Sequence, residues 1–457
     1  MRLVIFGAGE IYSQNRSRLD ENDKIVAFLD NNSLLQGTEK EGISVYAPQE
    51  IEQLSYDCIL IMSNYAVEMR DQLIELGCER GRILHYLEYF SRQGLGRAEL
   101  FFGRQKGGRH PEYLIIVNWL DYTGAPMTAV YAALALQSRG HGVVVAASGG
   151  DGRFIEEFRQ KGICFLLYPN LQYAKWDELF WLEDFSKVLV VTYPMMLCAM
   201  EIARHRKVSV WLHESDCVYS YMEFWKDVIK EGLPDPDVDI YAVGKVAREN
   251  FIRNVKDCSI KLLSYGIPDV REAHPWEKKE GLTFAVVGTI SPVKQQHLFL
   301  EAVGKLDEVY NRAGRFLLVG DFDEYDTDYA RKIREKADTM ENVFCLGKMI
   351  RRELNAFYQE VDVLVVTAMQ ETMSLVATEA MMLGKPCIVC DVAGMAEFIR
   401  NGENGFVYET GNSEELAKQM NFCFEHKDAL RAIGEKARST YIQFFTMEDF
   451  GKRLERV

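Results

Sequence analysis

Two glutamates eight positions apart, Glu371 and Glu379, lie in the segment QETMSLVATEAMM, residues 370–382. The apolar run Val363–Val366 before it reads as a strand, and the segment itself opens a helix. Glu371 then falls in the turn and Glu379 inside the helix. The amides of Thr372, Met373, Ser374 and Leu375 would stand at the helix N-terminus, where free N–H groups and the helix dipole favour an anion. Carboxylates suit the hydroxyls of a sugar and not a phosphate. The combination suggests a sugar nucleotide, with amides on the phosphates and carboxylates on the sugars. Taken alone, the same pair is an ordinary helix-start acid and a solvated surface acid.

The surroundings strengthen the first reading. Gly384-Lys385-Pro386 closes the helix and enters the next strand, followed by Gly394-Met395-Ala396-Glu397 and by NGENGF at 401–406. Upstream, VGTISPVKQQHLFLEA (287–302) runs strand, Gly288, polar turn, Lys294, helix. That order aims an ammonium at a diphosphate, although a single loop lysine is commonly a solvated one. Asp321-Phe322-Asp323 spells a pair that could ligate Mg²⁺ or Mn²⁺ through oxygen. With Glu324, Asp326 and Asp328 beside it, a solvated acidic loop is the plainer reading. The eight histidines are dispersed without metal-ligand spacing.

These residues need a scaffold, and short β-rich runs alternating with helical periodicity imply parallel sheets covered by helices. At ~150 residues per domain, 457 residues suggest about three. The first block, 1–91, carries expected strands Leu3–Phe6, Ile25–Leu29 and Cys58–Met62 and a helix over Val67–Leu76. Its turn IFGAGEIY offers Gly7 and Gly9 after a strand, and Asp30 lies about twenty residues on, where a ribose-binding acid sits in a dinucleotide site. A nucleotide site at Gly7, Gly9 and Asp30 stands beside a scaffold that uses its glycines only for the turn.

Residues 92–111 form a basic, glycine-rich stretch, read as a solvated interdomain linker. The sharper alternative is peripheral contact of 92–110, with Phe101 and Phe102, to anionic lipid. The second block, 112–270, carries strands Tyr113–Val117, Val143–Ala147, Val188–Val191, Val208–Leu212 and Ile240–Val243, and a helix over Thr128–Ser138. A charged segment with two prolines, 268–280, reads as a hinge. The third block, 281–440, carries strands Thr283–Val287, Phe316–Val319, Val343–Leu346, Val363–Val366 and Cys387–Cys390. Two doubly wound sheets joined by a hinge place a cleft between the carboxyl ends of their strands.

On these motifs, residues 113–457 resemble a retaining glycosyltransferase of family four. The resemblance rests on the Glu371-x7-Glu379 element, the strand–Lys294–helix element, GKPCIV, AGMAEFI and NGENGFVY in order, with TGAPM before a helix and His213 in VWLHES. It implies an α/β chain with the GT-B arrangement of two Rossmann-like domains, plus an extra N-terminal Rossmann-like domain. It also implies a C-terminal stretch, 441–457, whose helix packs back on the first GT-B domain. The roles it implies are as follows. Lys294 neutralises the diphosphate leaving group with the amides of Met373, Ser374 and Leu375. Glu371 holds the donor hexose and Glu379 the ribose, and Gly124 and Ala125 approach the phosphates. His213 contacts the sugar near the anomeric centre, and backbone around Gly347, Lys348 and Met349 holds the base, uracil by resemblance. Gly288 and Thr289 border the phosphates. One departure is Thr289, where the family usually carries an Arg; Lys348, Arg351 or Arg352 are the candidates to replace it. Another is Gln295 in place of the common glycine.

The resemblance thus implies a metal-independent transferase moving a hexose-type sugar from a nucleotide-diphosphate donor, a UDP-sugar, to a glycan, lipid-linked or protein acceptor in bacterial cell-surface polysaccharide or glycoconjugate synthesis. No cofactor beyond that donor is required. The alternatives are a weakly catalytic sugar-nucleotide sensor or partner subunit, a GT-B epimerase, and, last, an NAD-dependent oxidoreductase through the first block. The net charge of −15 argues against a bulk electrostatic binder of nucleic acid. No apolar run reaches the ~18 residues of a membrane span. The N-terminus does not read as a signal peptide, and ten scattered cysteines fit a reducing cytoplasm. Cys387 and Cys390 would point to opposite faces of one strand.

Overall fold

The structure, a computed structural model, describes residues 1–93, 98–103, 110–272, 281–323 and 327–457. Among them the strands form three sheets. The first holds β1 (Arg2–Phe6), β2 (Lys24–Leu29), β3 (Glu39–Lys40), β4 (Ile43–Tyr46), β5 (Cys58–Ile61) and β6 (Ile83–His85), in the order β3-β4-β2-β1-β5-β6. The second holds β7 (Glu99–Phe101), β8 (Tyr113–Val117), β9 (Val143–Ala147), β10 (Cys164–Leu167), β11 (Lys187–Val191), β12 (Val208–Leu212), β13 (Val238–Ala242) and β14 (Ile260–Leu262). Its order is β14-β13-β12-β11-β8-β9-β10-β7. The third holds β15 (Thr283–Val287), β16 (Arg315–Val319), β17 (Val343–Gly347), β18 (Val363–Val366), β19 (Cys387–Cys390) and β20 (Phe406–Tyr408), in the order β17-β16-β15-β18-β19-β20.

Pairing is parallel throughout the third sheet and antiparallel in the others only where β3 meets β4 and β7 meets β10. Strands such as Tyr113–Val117 and Cys387–Cys390 are buried along their whole length, because helices cover both faces and the run must be apolar on both. The expected strands are all present. The helix expected over Thr128–Ser138 begins earlier, at Gly124, since Pro126 is compatible with a first turn. Cys387 and Cys390 are both buried, and burial raises both thiols, Cys390 to about 11.

The stretch expected as linker is not linker throughout. Glu99–Phe101 pairs antiparallel with β10 and closes the edge of the second sheet. The physical reason is that an open edge of unpaired N–H and C=O groups favours a covering strand. Leu100 and Phe102 are exposed there. The basic side chains on which a lipid contact would turn, Arg92, Arg97, Arg104, Lys106 and Arg109, lie outside the described residues, as does 273–280 of the expected hinge. Among the described residues no helix is long and apolar enough to cross a membrane.

The C-terminal crossing is made by Met447–Leu454, a helix separate from Lys427–Phe444, which still contains Tyr441. It lies against the helix Gly124–Ser138 closely enough that a Cβ on Gly451 would come within 3.2 Å of the Ala135 carbonyl oxygen. Arg139 forms a two-point ion pair with Glu455, at 2.7 and 2.8 Å.

The first sheet is docked on the second through buried charge. Arg70 is 2% exposed; its guanidinium donates to the Phe224 carbonyl and, at 3.0 Å, to Asp227. Arg80 donates to the same carbonyl at 3.1 Å and lies over the Phe224 ring. His85 packs on Phe224 and Trp225, and burial lowers its imidazole to about 4. Trp225 Nε1 donates to Glu88 at 3.2 Å. Hydrogen bonds to charged groups are worth about 1.5–3 kcal/mol each. Arg70→Ala should therefore loosen the docking by about 2–3 kcal/mol. Calorimetry is expected to show a separate, earlier transition for the first sheet. An unchanged melting profile would show that Arg70 does not hold the units together.

Candidate functional site

Lys294 is placed by a loop that the chain stitches to itself. After β15, the Gln296 side chain donates to the Thr289 carbonyl at 2.8 Å and accepts from the Ser291 amide at 3.3 Å. A single turn, Pro292–Lys294, follows, and Gln295 adopts φ +50° before the helix Gln296–Gly304 begins. A left-handed residue at this point explains why glycine suits it. The backbone of Val293 and Lys294 is tied to the β18 loop by Met369 N–H and Thr367 Oγ1, both at 2.8 Å. The ammonium reaches Glu371 Oε2 at 2.5 Å, with both side chains partly exposed.

Glu371 is held in turn. Its carbonyl accepts from Gly394 N–H at 3.0 Å, and a Cβ on Gly394 would come within 2.1 Å of the Thr372 carbonyl oxygen. The glycine of AGMAEFI is thus required by close approach of two backbones. Ser374 caps the helix Leu375–Met382 through its side chain. Glu379 is fully buried and accepts from Tyr358 OH at 2.9 Å. It is therefore not a solvated surface acid.

The opposing wall comes from the second sheet. Asp121 accepts from the Thr123 amide and hydroxyl, and the helix Gly124–Ser138 begins there. A Cβ on Gly124 would meet nothing within 4 Å. The first N–H groups of this helix lack intrahelical partners. At the end of β12, His213 is half-buried against Trp211, and its Nε2 has no partner among the described residues. Burial holds its imidazole down at about 3. Glu214 accepts from the Tyr193 and His213 amides at 2.8 Å each, and burial pushes its carboxyl up to about 7. The walls meet where Thr372 Oγ1 donates to the His213 carbonyl at 2.8 Å.

Between them lies a cavity of about 510 Å³. It brings together Gly124, Ala125, His213, Lys294, Glu371 and the run Met373, Ser374 and Leu375. Gly288, Thr289, Gly347, Lys348, Met349 and Glu379 do not line it. Lys348 pairs with Asp321 at 3.3 Å, so the carboxylate of the Asp-x-Asp loop faces a cation of its own chain. Among the described residues no cluster of three His, Cys, Asp or Glu is arranged to hold a metal. The side chains of Arg351 and Arg352, and residues Glu324 and Asp326, lie outside the described residues. In the first sheet, Gly7 has φ +105° and a Cβ there would come within 2.7 Å of the Met62 carbonyl oxygen. Asp30 spends its two oxygens on the Ala8 and Asn32 amides, at 2.9 Å each. Gly7 and Asp30 both shape the turn, and a Cβ on Gly9 would meet nothing within 4 Å. Sequence reasoning missed Trp119, Thr192, Glu214 and Tyr265 as cavity residues. Only Glu214, beside His213, had a local signal.

Residues 268–440 match the family model of glycosyl transferases group 1, and residues 1–84 that of C2185-like, N-terminal. The N-acetyl-alpha-D-glucosaminyl L-malate synthase of Bacillus anthracis is 28% identical over 172 residues, 37% of this chain and 43% of that protein. The lipopolysaccharide 1,2-N-acetylglucosaminetransferase of Salmonella typhimurium is 26% identical over 246 residues, 51% of this chain and 59% of that protein. The chain thus spans about half the length of these curated relatives. Among solved structures, Anabaena Alr3699/HepE in complex with UDP and glucose superposes with a TM-score of 0.65 at 18% identity, covering 76% of this chain and 98% of that one. Sucrose-phosphate synthase from Thermosynechococcus elongatus gives 0.62 at 16%, covering 76% and 98%. At such identities the likeness is one of fold, and the fold is GT-B.

Because the folded His213 stays neutral down to about 3, the unfolded chain alone takes up its proton below about 6.5. Stability is therefore lost as pH falls from about 6.5 toward 3. Glu214 has the opposite sign, contributing fully below about 4.5 and losing that contribution as pH rises through about 7. His213→Gln is expected to flatten the acid-side fall by up to about 1.4 kcal/mol per pH unit. Urea unfolding at a series of pH values reads this. An unaltered slope would mean that the imidazole is charged in the folded chain.

Proposed function

We propose, from the match of residues 268–440 to the glycosyl transferases group 1 model, that this chain moves a hexose-type sugar from a UDP-sugar, with retention, to a glycan, lipid-linked or protein acceptor. The setting is synthesis of bacterial cell-surface polysaccharide or glycoconjugate. The observation that carries the reading is the Lys294–Glu371 ion pair, set between the starts of the helices Gly124–Ser138 and Leu375–Met382. Lys294 exchanges Glu371 for the diphosphate, and the freed carboxylate accepts hydroxyls of the donor hexose. The amides of Met373, Ser374 and Leu375, with those of Gly124 and Ala125, take up the charge that develops on the leaving group. His213, neutral, offers Nε2 near the anomeric carbon. The acceptor attacks on the face from which the diphosphate departs. The positive charge comes from the protein, so no metal is assigned a role. Glu379, Gly288, Thr289 and the backbone at Gly347, Lys348 and Met349 are assigned to the nucleoside and phosphate margin beyond the cavity. The sugar-transferring relatives and the UDP- and glucose-bound fold neighbour support the substrate class.

A specific observation favours a second reading, a nucleotide-sugar-binding partner subunit with weak catalysis. Thr289 brings no charge, and the candidate replacement Lys348 is paired with Asp321. A panel of nucleotide sugars, with nucleotide release measured with and without candidate acceptors, separates the two. Acceptor-dependent release supports transfer, whereas tight binding without turnover supports the subunit. Lys294→Ala should lower turnover by about 10²–10³-fold with folding intact, and unchanged turnover would remove Lys294 from the site. Glu371→Ala should weaken discrimination among UDP-hexoses more than affinity for UDP. Equal loss of both would contradict its role.

A further inference from the structure

The wall facing Lys294 and Glu371 carries a side chain that the donor chemistry leaves unused. β12, β11 and β8 are neighbours in the second sheet. Their carboxyl ends deliver His213, Thr192 and Asn118-Trp119 side by side to the same cavity. Trp119 is 50% exposed, although it lies in the cavity wall. The backbone on both sides of it is tied down. The Leu120 amide donates to the Gly149 carbonyl at 3.0 Å, Ser148 N–H to the Asn118 carbonyl at 3.1 Å, and Asp151 N–H to the Leu120 carbonyl at 2.7 Å. The indole rests on Gly149, where a Cβ would come within 2.3 Å of its six-membered ring. The outer part of the six-membered ring is thus in contact with backbone that only glycine permits, and Trp119 as a residue stays half exposed.

A rigid open aromatic in a ligand cavity marks a surface that a ligand covers. Its neighbours say which ligand. Asn118 and Asp121 line the cavity on either side of it. Asp121 uses Oδ1 on the Thr123 amide and hydroxyl, leaving Oδ2 as an acceptor. Thr192, a β-branched residue, is held at φ +84°, and its buried Oγ1 has no partner among the described residues. Such strain is retained where a site over-determines it. A pyranose ring presents an apolar C–H face bordered by hydroxyls, which matches an indole face bordered by carboxylate, amide and hydroxyl.

We propose that Trp119 is the stacking platform of an acceptor-sugar subsite, with Asn118 and Asp121 at its rim, so that the acceptor offers a pyranose ring to the cleft. This rests on the transferase reading above. The ring is assigned to the acceptor because, in the reading above, Glu371 of the third sheet takes the donor hexose hydroxyls, and of the second-sheet wall only His213, Gly124 and Ala125 are given to the donor, which leaves Trp119 unused.

The test measures binding of methyl α- and β-pyranosides (glucoside, galactoside, N-acetylglucosaminide) by saturation-transfer NMR, with and without UDP, and UDP binding by calorimetry. Wild-type protein is expected to bind at least one pyranoside at millimolar concentration. Trp119→Ala should weaken it by about tenfold or more, and Trp119→Phe should largely restore it, because an aromatic face remains. UDP affinity should be unchanged in both variants. Absence of pyranoside binding to the wild type, or equal binding by Trp119→Ala, overturns the proposal. Loss of UDP affinity in Trp119→Ala also overturns it, because the indole would then be stacking on the base. A wild-type chain that failed to bind UDP would lose the transferase reading, while the arm without UDP still decided this one.

Discussion

A parallel strand cannot turn straight back to its neighbour; the chain must cross over the sheet, and a helix makes the crossing. A loop that leaves such a strand at its carboxyl end can therefore run into a helix N-terminus, and the site depends on three passages of this kind. β8 runs into Gly124 and Ala125, β15 into Lys294, and β18 into Glu371 and the Ser374 cap. With two such sheets facing each other, anion-favouring helix ends and the side chains beside them converge from both sides. Neither sheet alone holds the cation, the carboxylate and the imidazole.

What keeps the sheets facing is distributed. Thr372 meets the His213 carbonyl, Cys217 N–H meets Gln370 at 3.2 Å, and Tyr265 shares a buried 2.9 Å hydrogen bond with Thr378. Lys245 and Glu397 pair at 3.0 Å, but partly exposed ion pairs contribute about 0–1 kcal/mol. Burial does more. Phe450 and Leu454 of the last helix are inaccessible to solvent or nearly so, and they fasten the chain's end to the second sheet. Arg438 anchors the preceding helix to Asp269. The cleft is therefore bounded by many small contacts and one apolar strap.

Charge in the cleft is arranged sparingly. Lys294 is met by Glu371, and outside the cavity wall Lys348 is met by Asp321. Two further titratable groups are shaped by burial. His213 is kept uncharged, and Glu214 is desolvated while clamping the amides at the ends of β11 and β12. An anion entering the cleft would thus meet the N-terminal amides of two helices and the Lys294 ammonium.

The sequence by itself determined the strands whose residues are buried on both faces. Tyr113–Val117, Phe284–Val287 and Cys387–Cys390 are unbroken apolar runs between polar turns, and that pattern is local. It determined the strand–loop–helix passages that carry Lys294 and Glu371 for the same reason. Only the tertiary structure decided what meets what. Lys294 and Glu371 are 77 residues apart, and nothing local pairs them. Glu379 reads equally as a surface acid until Tyr358 is seen against it. Glu99–Phe101 carries no strand signal of its own and is a strand because β10 offers it an edge. Trp119 reads as a loop aromatic until Gly149 is found beneath it. Periodicity is a property of one segment, whereas a site is made where strand order brings distant segments to one edge, and strand order is settled by packing.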